Sequence, residues 1–489
     1  MSKNLKIFIF VIIVSFFSSL SYSETKTTSR KNYLVKIFSF YQSYNYYYPW
    51  EKNKFYKRTS YGVLLKNNYI LTTADTITDN TYIELKKTSS EKKYKAKVVY
   101  YDYDCNIAVL KANDQSFYEG LTPIDIEKPL KKGDQVFVVQ IKSNNDLLKT
   151  NATIDKIFID ESFLSWNEFI SYKISVKLEN RDDWAEPIIH NGKLAGILTT
   201  YNTNKFTAVV IPSEIIEHFI KDIEDGKYDG FPNSGFLWEK IDNPYLKDYL
   251  GMKDNKTGIY ITEVAQKGPA AKILKEGDVI LSIDNYDIDD NGYIKHTVYG
   301  KILFNYLISS KFPGDEISLK ILRNKKEKEV KIKAKRFTSN DYFIPLYSFD
   351  KQAKYIIEGG MIFQEVTVKY LKSWGDDWEN VGNLKLLYYY NYNIFNPPDD
   401  RERIVVVSYV LPDDINIGYQ DIKTQIVKEI NGRKIKNIED VADIFDTTNE
   451  KYIKITFDDG REAVFKTSDL KTANQRIKQR YRIKKYRNL

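Results

Sequence analysis

Proton transfer near neutral pH is the work of imidazole, and this chain of 489 residues carries three histidines, His190, His218 and His296. His190 adjoins Asn191-Gly192-Lys193, a hairpin-turn string, and reads as a polar turn residue. A thiol is the other ready nucleophile, and Cys105 is the one cysteine. It adjoins an apolar strand and reads as a small core residue; alone it can close no intramolecular disulfide. Carboxylates are plentiful, and Asp75, Asp182 and Asp183 stand inside strongly patterned strings. One is Asn68-Tyr69-Ile70-Leu71-Thr72-Thr73-Ala74-Asp75-Thr76-Ile77; another is Asp182-Asp183-Trp184-Ala185-Glu186-Pro187. Between them lies a third string, Asp104-Cys105-Asn106-Ile107-Ala108-Val109-Leu110-Lys111.

These strings resemble the catalytic segments of trypsin-like serine proteases of the HtrA/Do-like family. The first is similar to the family's hydrophobic-Leu-Thr-x-Ala-His, with Asp75 where the base histidine belongs. The middle one resembles Asp-hydrophobic-Ala-hydrophobic-Leu, with Asn106 at the orienting aspartate. The last stands for Gly-Asn-Ser-Gly-Gly-Pro, with Trp184 at the nucleophile and Asp182 and Asp183 in the oxyanion turn. The resemblance thus implies a protease framework with no catalytic residue left in place. Acyl transfer by this route needs a hydroxyl, an imidazole to take its proton and a carboxylate to fix the tautomer. An indole offers only a donor, and an ordinary carboxylate is too weak a base to activate a serine. Two acids in the oxyanion turn repel the charge that the turn must stabilise. If the fold were kept, Asp75, Asp182 and Asp183 could converge on Ca²⁺ or Mg²⁺. Solvated acids are the plainer reading, so no metal and no other cofactor is expected.

The elements around these residues read as mainly β with α+β modules: a trypsin-like double β-barrel followed by two PDZ-like domains. Residues 24–225 alternate short apolar strands with polar turns, as in Gln135-Val136-Phe137-Val138-Val139, and end on Ala208-Val209-Val210-Ile211-Pro212. Ser213 then reads as the N-cap of a helix, and Gly226 to Gly235 as a linker. The stretch 236–337 resembles a PDZ domain. Its strongest string is Leu274-Lys275-Glu276-Gly277-Asp278-Val279-Ile280-Leu281-Ser282-Ile283-Asp284. Tyr249, Leu250, Gly251 and Met252 resemble the carboxylate-binding loop of such domains. Leu303 and Leu307, at helical spacing between Tyr299 and Phe312, fit the helix flanking a peptide groove. The stretch 342–489 repeats the pattern atypically. Gly359-Gly360-Met361-Ile362-Phe363 looks like a degenerate loop, and Asp414-Ile415-Asn416-Ile417-Gly418-Tyr419 is unusual. Two PDZ-like domains, the second atypical, match one branch of the Do-like family.

Apolar residues make up 42 % of the chain and charged residues 29 %, which suits folded domains. Residues 1–23 read as a signal peptide: Lys3 and Lys6, an apolar run, then Ser21-Tyr22-Ser23 before the cleavage point, with an uncleaved anchor as the alternative. That places the protein in the periplasm or extracytoplasmic envelope of a bacterium and argues against nucleic acid as a partner. The net charge is +8, and Lys471 to Leu489 hold eight basic residues and no acid. Such a tail suits an anionic membrane surface; a solvated final helix with a frayed end is the plainer reading. Tyr44-Asn45-Tyr46-Tyr47-Tyr48-Pro49-Trp50 matches, in position and composition, the aromatic segments through which family members build trimers and cages. Its alternative is ordinary barrel packing.

The expected function is therefore a catalytically inactive Do-like homologue. It would bind peptides or protein C-termini through the first PDZ domain as an exported scaffold or chaperone-like protein of envelope quality control. It is expected to form a homo-oligomer, trimer or higher, with an active protease paralogue as a further partner. Within this reading the groove could also be filled by a neighbouring segment and serve assembly only. The competing class is an active Do-like serine endopeptidase with a displaced or non-standard site; covalent labelling by a serine-directed reagent separates the two.

Overall fold

The computed structural model describes residues 32–142, 144–178, 184–252 and 256–489. The leader expected over 1–23 and the turn residues Asp182 and Asp183 lie outside the described residues. Two closed six-stranded barrels come first. Round the first barrel run Leu34–Tyr41, Tyr56–Leu64, Ile70–Thr72, Ile107–Ala112, Lys93–Asp102 and Asn80–Lys87. Round the second run Pro187–His190, Lys193–Asn202, Thr207–Pro212, Glu168–Ser175, Leu147–Glu161 and Gln135–Ile141. Strand Ile107–Ala112 shows why its sequence is an unbroken apolar run. Ala108 and Leu110 point into the first barrel's core, while Ile107 and Val109 join the core between the barrels. A strand buried on both faces has no polar side to alternate with.

Helix Ser213–Asp222 closes the barrels, but Ser213 does not cap it. Pro212 holds the cap position, and the Ser213 hydroxyl is buried among the helix's first residues without a partner. The stretch from Gly226 to Gly235 is packed rather than a free linker. Asp222 accepts the N–H groups of Asp229 (3.0 Å) and Gly230 (2.7 Å), and Phe231 meets Phe169 edge-on at 5.2 Å.

The next sheet runs Phe236–Lys240, Ile259–Val264, Val279–Ile283, Glu316–Arg323, Lys326–Lys333, so Phe236–Lys240 is its edge strand. The last module is built on one larger sheet whose far edge is Tyr355–Glu358 with the short strand Arg487–Asn488 added to it. Three helices that the sequence reading did not anticipate, Val368–Lys372, Trp378–Val381 and Leu384–Tyr392, are inserted between strands Met361–Glu365 and Val405–Val410. Gly359 and Gly360, with φ of 57° and 85°, make the tight turn joining Tyr355–Glu358 to Met361–Glu365 rather than an open loop. The unusual segment explains itself there. Asn416 donates its amide to Gly359 O (2.8 Å) and would collide with a Cβ at residue 360 (2.3 Å).

Two further expectations change. The basic tail is not a frayed end: Arg476 and Arg480 bind the buried Asp413, and Arg487 binds Glu358 and Asp446. Three of the eight basic residues are thus paired with acids of the same chain. Among the described residues no helix is long and apolar enough to cross a membrane. The aromatic segment docks on the last module of its own chain. Tyr46 meets Ser348 (3.1 Å), Gln364 donates to Tyr46 O (2.9 Å), and Trp50 packs on Tyr355.

Arg336, just past the first PDZ-like sheet, fastens the modules to the barrels. Its guanidinium reaches Asp102 (2.7 Å) and Asp104 (3.1 Å), both buried in the turn that leads to Asn106. Tyr228 donates to Asp102, and Tyr347 donates to Asp104 (2.8 Å). Burial first, then Asp102 beside it, push the Asp104 carboxyl up to about 6 despite the arginine. Replacing Arg336→Met leaves two buried acids facing each other and should cost about 3–5 kcal/mol in chemical denaturation. Adding Asp104→Asn to that variant should recover part of the loss, whereas simple additivity would show the cluster is not a unit.

Candidate functional site

Where the two barrels meet, the structure brings Asp75 and Asn106 together. Asp75 sits in a short 3-10 turn, Ala74–Ile77, after strand Ile70–Thr72. Its backbone N–H donates to Asn106 Oδ1 (2.9 Å), and Ala74 N–H donates to Asn106 O (3.1 Å). Asn106 can receive both because it turns through φ 56°, a left-handed conformation that asparagine tolerates. Burial pushes the Asp75 carboxyl upward, against the pull of Thr73 and Arg58. One oxygen of Asp75 and the amide nitrogen of Asn106 are buried with no hydrogen-bond partner among the described residues.

Trp184, 43 % exposed, forms a parallel bridge with Ser60 of strand Tyr56–Leu64. It is held by its backbone: Tyr61 N–H donates to Trp184 O (2.8 Å), and Trp184 N–H donates to Thr59 O (3.3 Å). Ala185 follows at φ 63°, a glycine-like conformation kept by an alanine that is 3 % exposed. Left-handed backbone at a residue with a Cβ costs about 1 kcal/mol, so the bend is imposed by its surroundings. Glu186 is buried next and accepts from the Gln140 amide (3.2 Å).

The imidazoles are elsewhere. His190, in the Asn191-Gly192 hairpin turn, meets Glu127 (3.3 Å). His218 is sandwiched between Phe231 and Phe312 at 4.2 and 3.9 Å, and burial lowers it to about 4, so it is neutral at physiological pH. His296 stacks on Tyr299. Among the described residues none of the three hydrogen-bonds a serine or threonine hydroxyl. Nor, among those residues, do three or more His, Cys, Asp or Glu gather to hold a metal ion.

The peptide-groove residues are rearranged. Tyr249 and Leu250 end helix Pro244–Leu250, and Gly251 is its left-handed cap at φ 74°. Asn243 starts that helix by accepting from the N–H groups of Tyr245 and Leu246, with Pro244 in the first turn. Met252 is buried against Ile241 and Val279, and Tyr249 is exposed. A Leu-Gly step reads alike as helix cap and as binding loop, which is why sequence reasoning misplaced it. The flanking helix is also shorter than expected. Gly300–Leu303 is a strand paired with Tyr293–His296, and Gly300, at φ 67°, turns the chain into it; the helix is Asn305–Ser309. Leu303 is thus on a strand and Leu307 on the helix, buried.

A cavity of about 290 Å³ lies between edge strand Phe236–Lys240 and that helix. The barrel supplies one wall with Glu161, Trp166 and Glu168, and the last module supplies Tyr342 and Phe395. Asn305 donates its amide to Glu168. Burial, then the nearby Glu161, push the Glu168 carboxyl up to about 7. The signal missed in the sequence was Gly235-Phe236-Leu237-Trp238, a glycine followed by apolar residues at the start of the module. Gly235 turns at φ 60°, where a Cβ would strike Pro269 at 2.5 Å.

A trypsin-like peptidase domain is recognised over residues 61–178, and PDZ domains over 250–334 and 344–488. The chain is 28 % identical over 457 residues to "Protease Do-like 2, chloroplastic" of Arabidopsis thaliana, covering 92 % of this chain and 74 % of that relative. It is 28 % identical over 410 residues to "Putative protease Do-like 3, mitochondrial" of the same plant, covering 83 % and 70 %. Its homologues are Do-like, or HtrA, proteases. Among solved structures, "HtrA-type protease AlgW with decapeptide" matches 62 % of this Do-like chain and 95 % of its own, at 17 % identity and a TM-score of 0.48.

The Do-like barrel and its first PDZ domain also meet through Glu214, which accepts from the Tyr299 hydroxyl. Burial raises the Glu214 carboxyl to about 7, with Tyr299 opposing and Glu217 adding to the rise. In the unfolded chain both Glu168 and Glu214 return to roughly 4.3. Between that value and about 7 the folded state holds the extra protons, so stability falls as pH rises through this window. The melting temperature should therefore drop between pH 5 and pH 8, and Glu214→Gln should flatten that drop; an unchanged slope in calorimetry would refute the assignment.

Proposed function

We propose that this Do-like protein is a peptide-binding scaffold or chaperone-like factor and not a protease. The observation that carries the reading is the pairing of Asp75 with Asn106 at the barrel junction, with none of the three histidines hydrogen-bonded to either among the described residues. A neutral amide at Asn106 cannot fix a catalytic tautomer, and Trp184 offers no oxygen to attack a carbonyl. The residual function then rests on the first PDZ domain. An extended peptide adds as a strand beside Phe236–Lys240, opposite helix Asn305–Ser309, by main-chain hydrogen bonds. The apolar walls of the cavity take its side chains.

In this reading the protein is exported and works in envelope protein quality control, as a homo-oligomer of three or more copies, alone or beside an active paralogue. A fluorophosphonate probe should leave it unlabelled, and unfolded casein should survive incubation with it. Trp184→Ser alone should restore no turnover, because base and orienting carboxylate are missing too; vigorous cleavage by that single variant would overturn the reading. Short extended peptides should bind with micromolar affinity, about −8 kcal/mol, in fluorescence anisotropy. Inserting Pro at Leu237, on the edge strand, should weaken them.

A further inference from the structure

The groove beside Phe236–Lys240 has a charge opposite to what a C-terminal carboxylate requires. Its lining carries two carboxylates, Glu161 and Glu168, and no lysine, arginine or histidine. Two amide oxygens add to these acceptors. Asn305 is 6 % exposed, its amide nitrogen is committed to Glu168, and its buried Oδ1 has no partner among the described residues. Asn233 donates its amide to Asn167 Oδ1 (2.6 Å) and Phe337 O (2.8 Å), which leaves its buried Oδ1 without a partner as well. Buried acceptors without donors are costly, and an anion brought beside them adds repulsion. The surrounding walls are Trp166, Trp238, Ile308, Tyr342 and Phe395. Such a chamber complements a long alkyl stem ending in a cluster of donors.

We propose that the groove of the first PDZ domain selects an extended peptide by a lysine or arginine side chain, received by Glu168 and Asn305, and does not select a free C-terminal carboxylate. This rests on the peptide-binding reading above and names the ligand class of that groove. The cationic head supplies charge and further donors to Glu161 and Glu168, the two acids of the lining. The aromatic rings cover the stem. A hydrated inorganic cation would leave those rings unmatched, which favours the side chain.

The test uses the full-length protein and fluorescent peptides of alternating valine and serine with one central lysine. Four versions are compared: lysine with a free C-terminus, lysine with an amidated C-terminus, and each with norleucine in place of lysine. Lysine should bind about tenfold more tightly than norleucine, and amidation should not weaken binding. Glu168→Gln should lower the ratio of lysine to norleucine affinity, a ratio read within the one variant so that a general loss of binding is not counted as lost recognition. Equal binding of lysine and norleucine, or a preference for the free carboxylate, would overturn the charge selection while leaving the groove a peptide site. Failure of all four peptides to bind would sink the peptide-groove reading itself.

Discussion

The arrangement of this chain depends on one partly buried arginine that binds two buried acids. Arg336 leaves the first PDZ sheet and enters the barrel between Asp102 and Asp104. Two acids and one arginine leave a net negative charge in a poorly hydrated place, and the protein relieves it with hydroxyl donors from Tyr228 and Tyr347. Each partner comes from a different stretch of chain: barrel turn, interdomain segment, and the start of the last module. Tyr103 and Asp350 extend the contact, and Lys369 reaches Asp79 (3.2 Å). The barrel turn that positions Asn106 is thus held partly by residues of the PDZ half of the molecule.

Backbone hydrogen bonds explain how the protease framework survives with other side chains in it. The links from Asp75 N–H to Asn106 Oδ1 and from Tyr61 N–H to Trp184 O need an acceptor or a peptide group, not a catalytic residue. The Asn106 side-chain oxygen supplies that acceptor, so the turn closes without a charged group. The same logic keeps the left-handed bend at Ala185, where neighbouring strands hold a conformation that the residue itself disfavours.

Much of the fold was legible because strands and PDZ cores leave periodic strings. Val279–Ile283 and Ile107–Ala112 are read from apolar runs and their flanking Gly-Asp or Asn turns. Strands Ile70–Thr72 and Ile107–Ala112 pair, and Asp75 and Asn106 lie just beyond their paired ends. The binding loop was not legible. Leu250-Gly251 ends a helix here because Asn243 and Pro244 begin one seven residues earlier, a long-range condition that a four-residue string does not carry. The tail failed for a related reason: counting Arg476, Arg480 and Arg487 reveals charge, but not that Asp413 and Glu358 lie within reach. Tertiary pairing decides whether a basic run is a surface or a brace.

The groove shows how those two facts combine. Its floor is an ordinary PDZ edge strand, yet its charge comes from the barrel's Glu161 and Glu168 and part of its apolar wall from Tyr342 and Phe395 of the last module. Ligand preference in such a chamber is a property of the assembled chain, because an isolated PDZ domain would lack both glutamates. Arg336 is what keeps the three contributors in register: it anchors the segment that leads from the PDZ sheet past Phe337 to Tyr342, and Phe337 O is the acceptor that orients Asn233. The same buried ion cluster that supports the Asn106 turn therefore also sets the acceptor geometry of the groove. Any loosening of that cluster would be felt at both places, one through the backbone of a barrel turn and the other through the amide of Asn233.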